Sequence, residues 1–382
     1  MAGAFILFIM LTGSLRQPLA FNGAEGAGRF SAGGRGGPIM MVTSLADSGA
    51  GSLRTAIDTP GPRIIKFAVA GTIRLQSDLV IRNPRITITG EGAPAGGIAI
   101  ADRSLIIKAD DVVIRYFRSR LGNRSGVDGD AISISGGRRI ILDHVSASWS
   151  VDETLSVSAR YGPTEGIYDV TVQWSIISES LRKSGHVKGD HGYGSLIRGG
   201  RGSRFSFRNN LWAHHVQRMP RPGNYAAAAD DPLGPIIEFR SNIFYNWGGN
   251  AAGYNSDKDS IATYAFVDNC YVTGPDTKST YIFREENPFA NSWFAGNRLN
   301  GVIPKQQRDL VKGHWVPLKT APYIAPAKFR RGNKNCDDVL RIAGASEPRD
   351  TVDRRVVADV RNRTGRIIDS QNDVGGWPDL SQ

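Results

Sequence analysis

The sequence predicts an all-β protein, a single-domain right-handed parallel β-helix with short terminal caps. Three observations predict this fold. Short β-rich segments with apolar first and third positions recur along the chain, helical periodicity is missing between them, and the intervening stretches are rich in Gly, Ser, Asn and Arg. One turn of such a solenoid cannot bury its apolar face alone, so successive turns have to stack.

Seven segments carry the repeat. Because side chains alternate along a strand, the first and third residues of each segment share one face, which we expect to point inward. The third residues are 26, 28, 30, 35, 32 and 28 positions apart. Across turns, Asn209 is expected to align with Asn269 and Trp212 with Phe244. The segments are Ile86-Thr87-Ile88, Val112-Val113-Ile114, Ile140-Ile141-Leu142, Val170-Thr171-Val172, Phe205-Ser206-Phe207, Ile237-Glu238-Phe239 and Ala265-Phe266-Val267.

The chain divides into three parts. Residues 1–20 contain the apolar run Phe5 to Leu11 and are predicted to be an export signal, although no Lys or Arg precedes the run. This run is far shorter than the roughly 20 residues of a membrane span. Residues 21–309 are predicted to form the β-helix. Residues 310–382 are predicted to be an extension packed on it, with a short helix from Cys336 to Gly344 capping an end of the core.

The net charge of +11, from 47 Lys and Arg against 36 Asp and Glu, predicts affinity for polyanions. Nucleic acid and acidic polysaccharide are both polyanions, but the chain has no basic run and no recognisable nucleic-acid module. We therefore expect no nucleic-acid partner. The two cysteines, Cys270 and Cys336, are able to form one disulfide after export but do not identify the compartment.

Acidic residues precede two predicted strands about one turn apart. Asp128-Gly129-Asp130 comes before Ala131 to Ser133, and Asp152-Glu153 comes before Leu155 to Ser158. Stacking is expected to bring these carboxylates together, where they repel each other unless a cation lies between them. Ca²⁺ accepts about six to eight oxygen ligands of this kind. A solvated loop is the alternative for the first motif, and the matching position of the second favours a metal site.

Two further polar clusters follow in the chain. The stretch from His186 to Gly194 combines His186, Lys188 and His191 with three glycines, which is typical of a loop folded around an anion or, equally, of a hydrated turn. A histidine metal site is less favoured, because the two histidines lack helical spacing. In Gln217-Arg218-Met219-Pro220-Arg221, the planar guanidinium groups fit a sugar carboxylate, with a solvated arginine turn as the alternative.

Several of these motifs together resemble the bacterial pectate lyases of the pectate lyase and pectin lyase superfamily, polysaccharide lyase family 1. The resemblance covers most of residues 24 to 300. Any one motif would be weak, whereas the combination is specific. The motifs are Gly33-Gly34-Arg35-Gly36-Gly37, Asp47-Ser48-Gly49-Ala50-Gly51-Ser52-Leu53-Arg54, Ile141-Leu142-Asp143-His144, Gln217-Arg218-Met219-Pro220-Arg221 and Asn246-Trp247-Gly248-Gly249.

The resemblance implies a calcium-containing cleft that cleaves polygalacturonate by β-elimination, in a secreted monomer without a membrane partner. It implies that Arg218 abstracts the proton and that Asp143-His144 is structural. Lys188 is our candidate for the lysine that contacts the substrate acid. Arg221, His186 and His191 are expected to contact substrate, with His191 as the reserve base. The expected calcium ligands are Asp128, Asp130, Asp152 and Glu153.

Two departures from the family pattern stand in this sequence. Ser156 replaces an acid, for which Glu153 is the expected substitute, and Gly223 replaces a second arginine, for which Arg221 is the expected substitute. Two other functions stay open. A hydrolytic polygalacturonase would need clustered aspartates beside a histidine, and Asp110-Asp111 lacks that partner. A noncatalytic β-helix adhesin would bind polysaccharide without forming product.

Overall fold

The computed structural model describes residues 17–162, 165–322, 324–326 and 334–381. Most of the predicted export signal, residues 1–16, lies outside the described residues. The paired strands are parallel, and each one pairs with the strands one turn earlier and one turn later. The predicted parallel β-helix is therefore confirmed. None of the helices in the described part of the chain has the length and apolar character of a transmembrane span.

Within the described residues the strands form three parallel sheets. The largest has a main path and a side branch, joined because the strand Ile132–Asp143 is long enough to belong to both. The main path consists of Ile39–Val42, Arg63–Phe67, Ile86–Thr89, Val112–Arg115, Ile132–Asp143, Ile167–Gln173, Arg204–Arg208, Ile236–Arg240, Ala262–Val267, Ala290–Ala295 and Val316–Pro317. The branch, here called the site sheet, consists of Leu79–Ile81, Leu105–Lys108, Ile132–Asp143, Leu155–Ser158, Leu196–Gly199 and Arg221–Asn224.

In the described residues the second sheet has nine strands and the third has three. The second is here called the covered sheet, because the C-terminal helices pack on its outer face. Parallel pairing continues to Pro317, beyond the predicted domain boundary at residue 309. The covered sheet consists of Gly71–Arg74, Ile98–Ala101, Arg118–Arg120, Ser146–Ser148, Ile176–Ser178, Leu211–His215, Ile243–Trp247, Cys270–Val272 and Arg298–Leu299. The third sheet consists of Gly253–Asn255, Phe283–Glu285 and Val311–Gly313.

The register along the main path follows the predicted repeat in six of the seven segments. Ile86, Val112, Ile140, Val170, Phe205 and Ile237 align from turn to turn. The seventh segment was predicted one residue too late, because Tyr264 and Phe266, rather than Ala265 and Val267, continue the inward column. Both readings satisfy apolar alternation, so the pattern could not separate them.

A ladder of buried asparagines runs beside the covered sheet. Its members are Asn210, Asn242, Asn269 and Asn297, each bonded to the next through side-chain amides. The predicted alignment of Asn209 with Asn269 was wrong by one residue, since the column uses Asn210. The predicted pairing of Trp212 with Phe244 is confirmed, with ring centroids 5.0 Å apart.

In the part of the chain that the structure describes, three α-helices lie outside the repeat. Leu53–Asp58 packs beside the first strands, and Lys334–Ile342 and Thr351–Asn362 lie in the C-terminal segment. Both C-terminal helices pack on the outer face of the covered sheet, against Ile176, Leu211 and Ile243 among others. The disulfide between Cys270 and Cys336 joins the first of them to that sheet. The helix predicted near Cys336 exists, but it covers a lateral face instead of capping an end.

The solenoid carries its polar site where strands of the site sheet begin. Ile132 pairs with Leu155, so the acidic residues just before these two strands lie side by side. An isolated bridge pairs Glu153 with Tyr193, and another pairs Tyr193 with Gln217. Four neighbouring chain segments therefore meet along one edge of the site sheet.

Candidate active site

Four acidic side chains gather at this edge. The backbone N–H of Glu153 donates to Asp130 Oδ1 at 3.0 Å, which joins the two neighbouring turns directly. Carboxylate oxygens of Asp130, Asp152 and Glu153 lie within 4.8 Å of one another. Asp128 reaches the group through His186, whose Nε2 is 3.1 Å from Asp128 Oδ1 and 3.6 Å from Asp152 Oδ1. Stacking thus brings together the four acids predicted as metal ligands.

The two central aspartates have opposite electrostatic surroundings. Burial, together with the negative charge of Asp152, raises the pKa of Asp130 to about 8, although Arg218 and nearby serine hydroxyls oppose this. Burial would also raise the pKa of Asp152, but the hydrogen bond and charge of His191 lower it on balance. A pair of carboxylates this close favours either a shared proton or a cation.

His186 and His191 contact the acids. Their rings are stacked at 3.6 Å between centroids, and His191 Nε2 is 2.8 Å from Asp152 Oδ1. The backbone N–H of Lys188 donates to His186 Nδ1 at 3.0 Å, so a neutral His186 carries its proton on Nε2 and donates it toward Asp128. Both rings are largely buried, and they hold the acids in place. Their predicted contact with substrate stays a prediction.

Arg218 lies on a bulge next to the acids. Tyr193 pairs with Gln217 and Leu196 with Arg221, so the two residues between the pairs on one strand face three residues on the next. Arg218 lies in this bulge and has a left-handed backbone conformation, with φ of 60°. Its guanidinium forms an ion pair with Glu153.

Two tyrosines that were not predicted as site residues flank Arg218. The guanidinium carbon of Arg218 lies 4.1 Å from the ring centroid of Tyr193, and Arg218 Nε donates to the hydroxyl of Tyr254 at 3.3 Å. The Tyr193 ring also contacts His191, at 4.1 Å between centroids. Tyr193 could have been predicted as a site residue, because it lies in the glycine-rich histidine loop. No sequence motif surrounds Tyr254.

The other predicted basic residues lie at the margin of this site. Lys188 is exposed on the histidine loop. Arg221 turns away from the acids, and its Nη2 lies 3.1 Å from Ser256 Oγ and 3.3 Å from Asp257 Oδ1. The structure therefore brings Arg218 into contact with the acidic group but leaves Arg221 in a separate cluster.

Two other polar motifs, Asp143-His144 and Asp110-Asp111, are occupied in structural contacts. Asp143 is buried and paired with Arg115 and His144, on the main path of the large sheet. Asp111 pairs with Arg139. These contacts agree with a structural role for Asp143-His144 and give Asp110-Asp111 no histidine partner.

The donor set of the acidic group fits a hard cation. Oxygen atoms from Asp130, Asp152 and Glu153 converge, and Ca²⁺ prefers carboxylate oxygens, whereas imidazole nitrogen suits transition metals. Asp152, His186 and His191 also converge within 4.8 Å. However, a metal-bound histidine donates through its other ring nitrogen, and the Nδ1 of His186 accepts a hydrogen bond instead. The oxygen set is the better match.

Carboxylates and an arginine that converge on one edge of a parallel β-helix form the kind of site that catalyses a reaction. The fold and the site together therefore define a β-helix enzyme. No protein-family model matches the chain. Curated relatives do match over most of its length. A probable pectate lyase C of Aspergillus flavus is 32% identical over 374 residues, covering 95% of this chain and 83% of the relative. The corresponding protein of Emericella nidulans is 33% identical, covering 95% and 81%.

The chain belongs to the pectate lyase family and is a lyase. These two relatives are fungal, so they give no support to the bacterial affiliation expected from the motifs. Solved structures share the fold at low identity. A pectate lyase bound to a hexasaccharide has a TM-score of 0.60 at 14% identity, covering 88% of this chain and all of that one. A Bacillus pectate lyase in complex with trigalacturonate has a TM-score of 0.57 at 13% identity, covering 84% and 98%.

Proposed function

We propose that this enzyme cleaves α-1,4-linked polygalacturonate by calcium-assisted β-elimination and releases 4,5-unsaturated oligogalacturonides. The observation that carries the proposal is the convergence of three carboxylates with Arg218 in contact with one of them. The names of the fungal relatives and the trigalacturonate in a structural neighbour support this substrate class.

The acids are the proposed cation site. Asp128, Asp130, Asp152 and Glu153 would hold Ca²⁺, with His186 in contact with Asp128 Oδ1 and His191 with Asp152 Oδ1. When bound, the ion neutralises the C6 carboxylate of the substrate and stabilises the negative charge that develops there. In the same proposal Lys188, on the exposed rim, contacts the substrate acid as it approaches.

Arg218 is the proposed base. The C5 proton moves to its guanidine nitrogen, the C5 electron pair forms the C4–C5 double bond, and the C4–O bond breaks, with solvent protonating the departing oxygen. Arginine is protonated at ordinary pH, so the rate is expected to rise into alkaline pH. Glu153 contacts Arg218 and belongs to the acidic group, so it links the base to the proposed cation site.

Several expectations about the whole chain stand as proposals beside the activity. Residues 1–20 are proposed as an export signal, and the enzyme as a secreted monomer. The β-helix of residues 21–309 is the proposed catalytic domain, and residues 310–382 the extension packed on it. The disulfide between Cys270 and Cys336 supports an oxidising destination.

The test is an assay with polygalacturonate, followed by the absorbance of the conjugated uronate and repeated with a chelator and with restored Ca²⁺. We expect unsaturated product that disappears with the chelator and returns with calcium. New reducing ends without this absorbance would indicate hydrolysis, and binding without any product would indicate an adhesin. Either result contradicts the proposal.

The role of Arg218 has its own test. Arg218→Lys keeps the charge but not the planar group, and we expect it to reduce kcat by at least about a hundredfold, the range typical of a lost general base. Arg201→Lys, on a turn away from the acids, is the matched control. A pH profile with its maximum near pH 5 would argue for a carboxylate base instead.

A further inference from the structure

A carboxylate of the protein lies between two arginines beside the proposed site. Asp257 Oδ2 accepts from Arg198 Nε at 2.8 Å, and Asp257 Oδ1 contacts a second nitrogen of the same guanidinium. The same Oδ1 is 3.3 Å from Arg221 Nη2. The side chains of Arg198, Arg221 and Asp257 are 13%, 16% and 10% exposed, about as accessible as the 14% of Arg218.

The surrounding backbone is shaped to place this carboxylate. Gly223 pairs with Arg198 across the site sheet, and a Cβ at Gly223 would lie 2.0 Å from Asp257 Oδ2. Asn255 Oδ1 accepts from the backbone N–H of Asp257 at 2.9 Å. The absence of a side chain at position 223 is therefore what lets Asp257 reach both arginines.

This arginine-aspartate cluster adjoins the proposed base through Tyr254. The Tyr254 hydroxyl accepts from Arg218, and the guanidinium carbon of Arg221 is 5.2 Å from the centroid of the same ring. A polysaccharide that places one sugar at Arg218 would therefore present a neighbouring sugar to the cluster. Tyr225, which is 41% exposed and lies over Arg198 at 4.3 Å, provides an apolar face at its edge.

Resting on the proposed function, we infer that Asp257 determines specificity at this neighbouring subsite, where it weakens the preference for a free acid enough for a galacturonate unit with a methyl-esterified carboxyl group to bind about equally well. A guanidinium fork binds one carboxylate well, and Asp257 already takes that position on Arg198. The two guanidinium groups outnumber the one carboxylate, so a free uronate placed here is still attracted, but the like charge of Asp257 weakens that attraction. An ester carries no charge, and its methyl group can pack on an aromatic face.

The test compares polygalacturonate with highly methyl-esterified pectin of similar length, using unsaturated product to obtain kcat/KM for each. Asp257→Asn keeps the shape and removes the charge. We expect the ratio of kcat/KM for polygalacturonate to that for esterified pectin to rise about fivefold, the contribution of one pair of charges roughly 4 Å apart in water. Asp259→Asn is the matched control, because Asp259 is exposed and its removal changes the net charge equally. It should leave the ratio unchanged.

A second measurement uses the unaltered enzyme and needs no variant to fold. Mass spectrometry of the products from half-esterified pectin should show methyl esters on a unit adjacent to the cleaved bond about as often as on units further away. Depletion of esters from that unit, or a ratio that Asp257→Asn leaves unchanged or lowers, would overturn the inference while the activity stands. If the unaltered enzyme forms no unsaturated product from either substrate, the proposed function is wrong and this inference falls with it.

Discussion

Asp152 is the residue on which the polar contacts of the site converge. Its Oδ1 lies 2.8 Å from His191 Nε2 and 3.6 Å from His186 Nε2. Its carboxylate belongs to the same cluster as those of Asp130 and Glu153. Asp152 faces two histidines and Glu153 faces Arg218, whereas Asp130 accepts from the backbone N–H of Glu153. The histidines therefore act on the proposed cation site through the acids that they hold in place.

At this scale we predict that His186→Ala weakens cation binding about tenfold or more, as loss of a residue that orients metal ligands usually does. His186→Gln keeps an N–H donor and should retain part of the affinity. The measurement is direct titration of the protein with Ca²⁺ by calorimetry, without substrate.

His314→Gln, at an exposed histidine, serves as the control for this prediction. Calcium affinity that is equal in the His186→Ala variant and the control would show that His186 does not orient the acids.

At the scale of elements, the solenoid is held by columns of like residues that cross many turns. The asparagine ladder satisfies backbone groups at each bend: Asn242 accepts from the backbone N–H of Asn210 and donates to the carbonyl of Phe207. The aromatic column from Trp212 through Phe244 to Tyr271 fills the interior beside it. Repetition of short strands predicted the stacking, but a one-residue error in register exchanges one column for the next, because side chains alternate.

We predict that Asn242→Leu lowers the free energy of unfolding by about 3 kcal/mol, since it leaves two buried backbone groups without partners. Denaturant unfolding followed by tryptophan fluorescence measures the change. Asn250→Leu, at an exposed loop position, should have an effect within about 0.5 kcal/mol. Equal effects of the two substitutions would mean that the ladder contributes no stability.

At the scale of the whole molecule, the C-terminal helices are fixed to the covered sheet by buried charge as well as by apolar packing. Asp350 contacts Arg118 and Arg120, and Asp353 contacts Arg120, with all four side chains at most 1% exposed. Such a network fixes a segment in one position, because loss of one partner leaves the other charges buried without a counter-charge.

Removal of the Asp350 charge is therefore expected to loosen the C-terminal segment. Asp350→Ala should lower stability by about 3–5 kcal/mol, the cost of an uncompensated buried charge. Faster hydrogen exchange in residues 334–362 would accompany the lower unfolding midpoint. Asp338→Ala removes the acid of a more exposed pair with Arg341 and should cost about 1 kcal/mol or less. If the Asp350 variant matches it, the buried network is not what holds the helices.

The sequence by itself determined the solenoid and the approximate position of the site. Apolar alternation at intervals of about one turn leaves parallel stacking as the arrangement that buries every segment, and acids one turn apart then have to meet. Tertiary structure alone decided which residues complete the site. Tyr254 and Asp257 come from one turn and Arg198 from another, and their contacts depend on register, on the bulge that contains Arg218 and on the space above Gly223. Periodicity does not encode these features, because each is set by backbone geometry across turns.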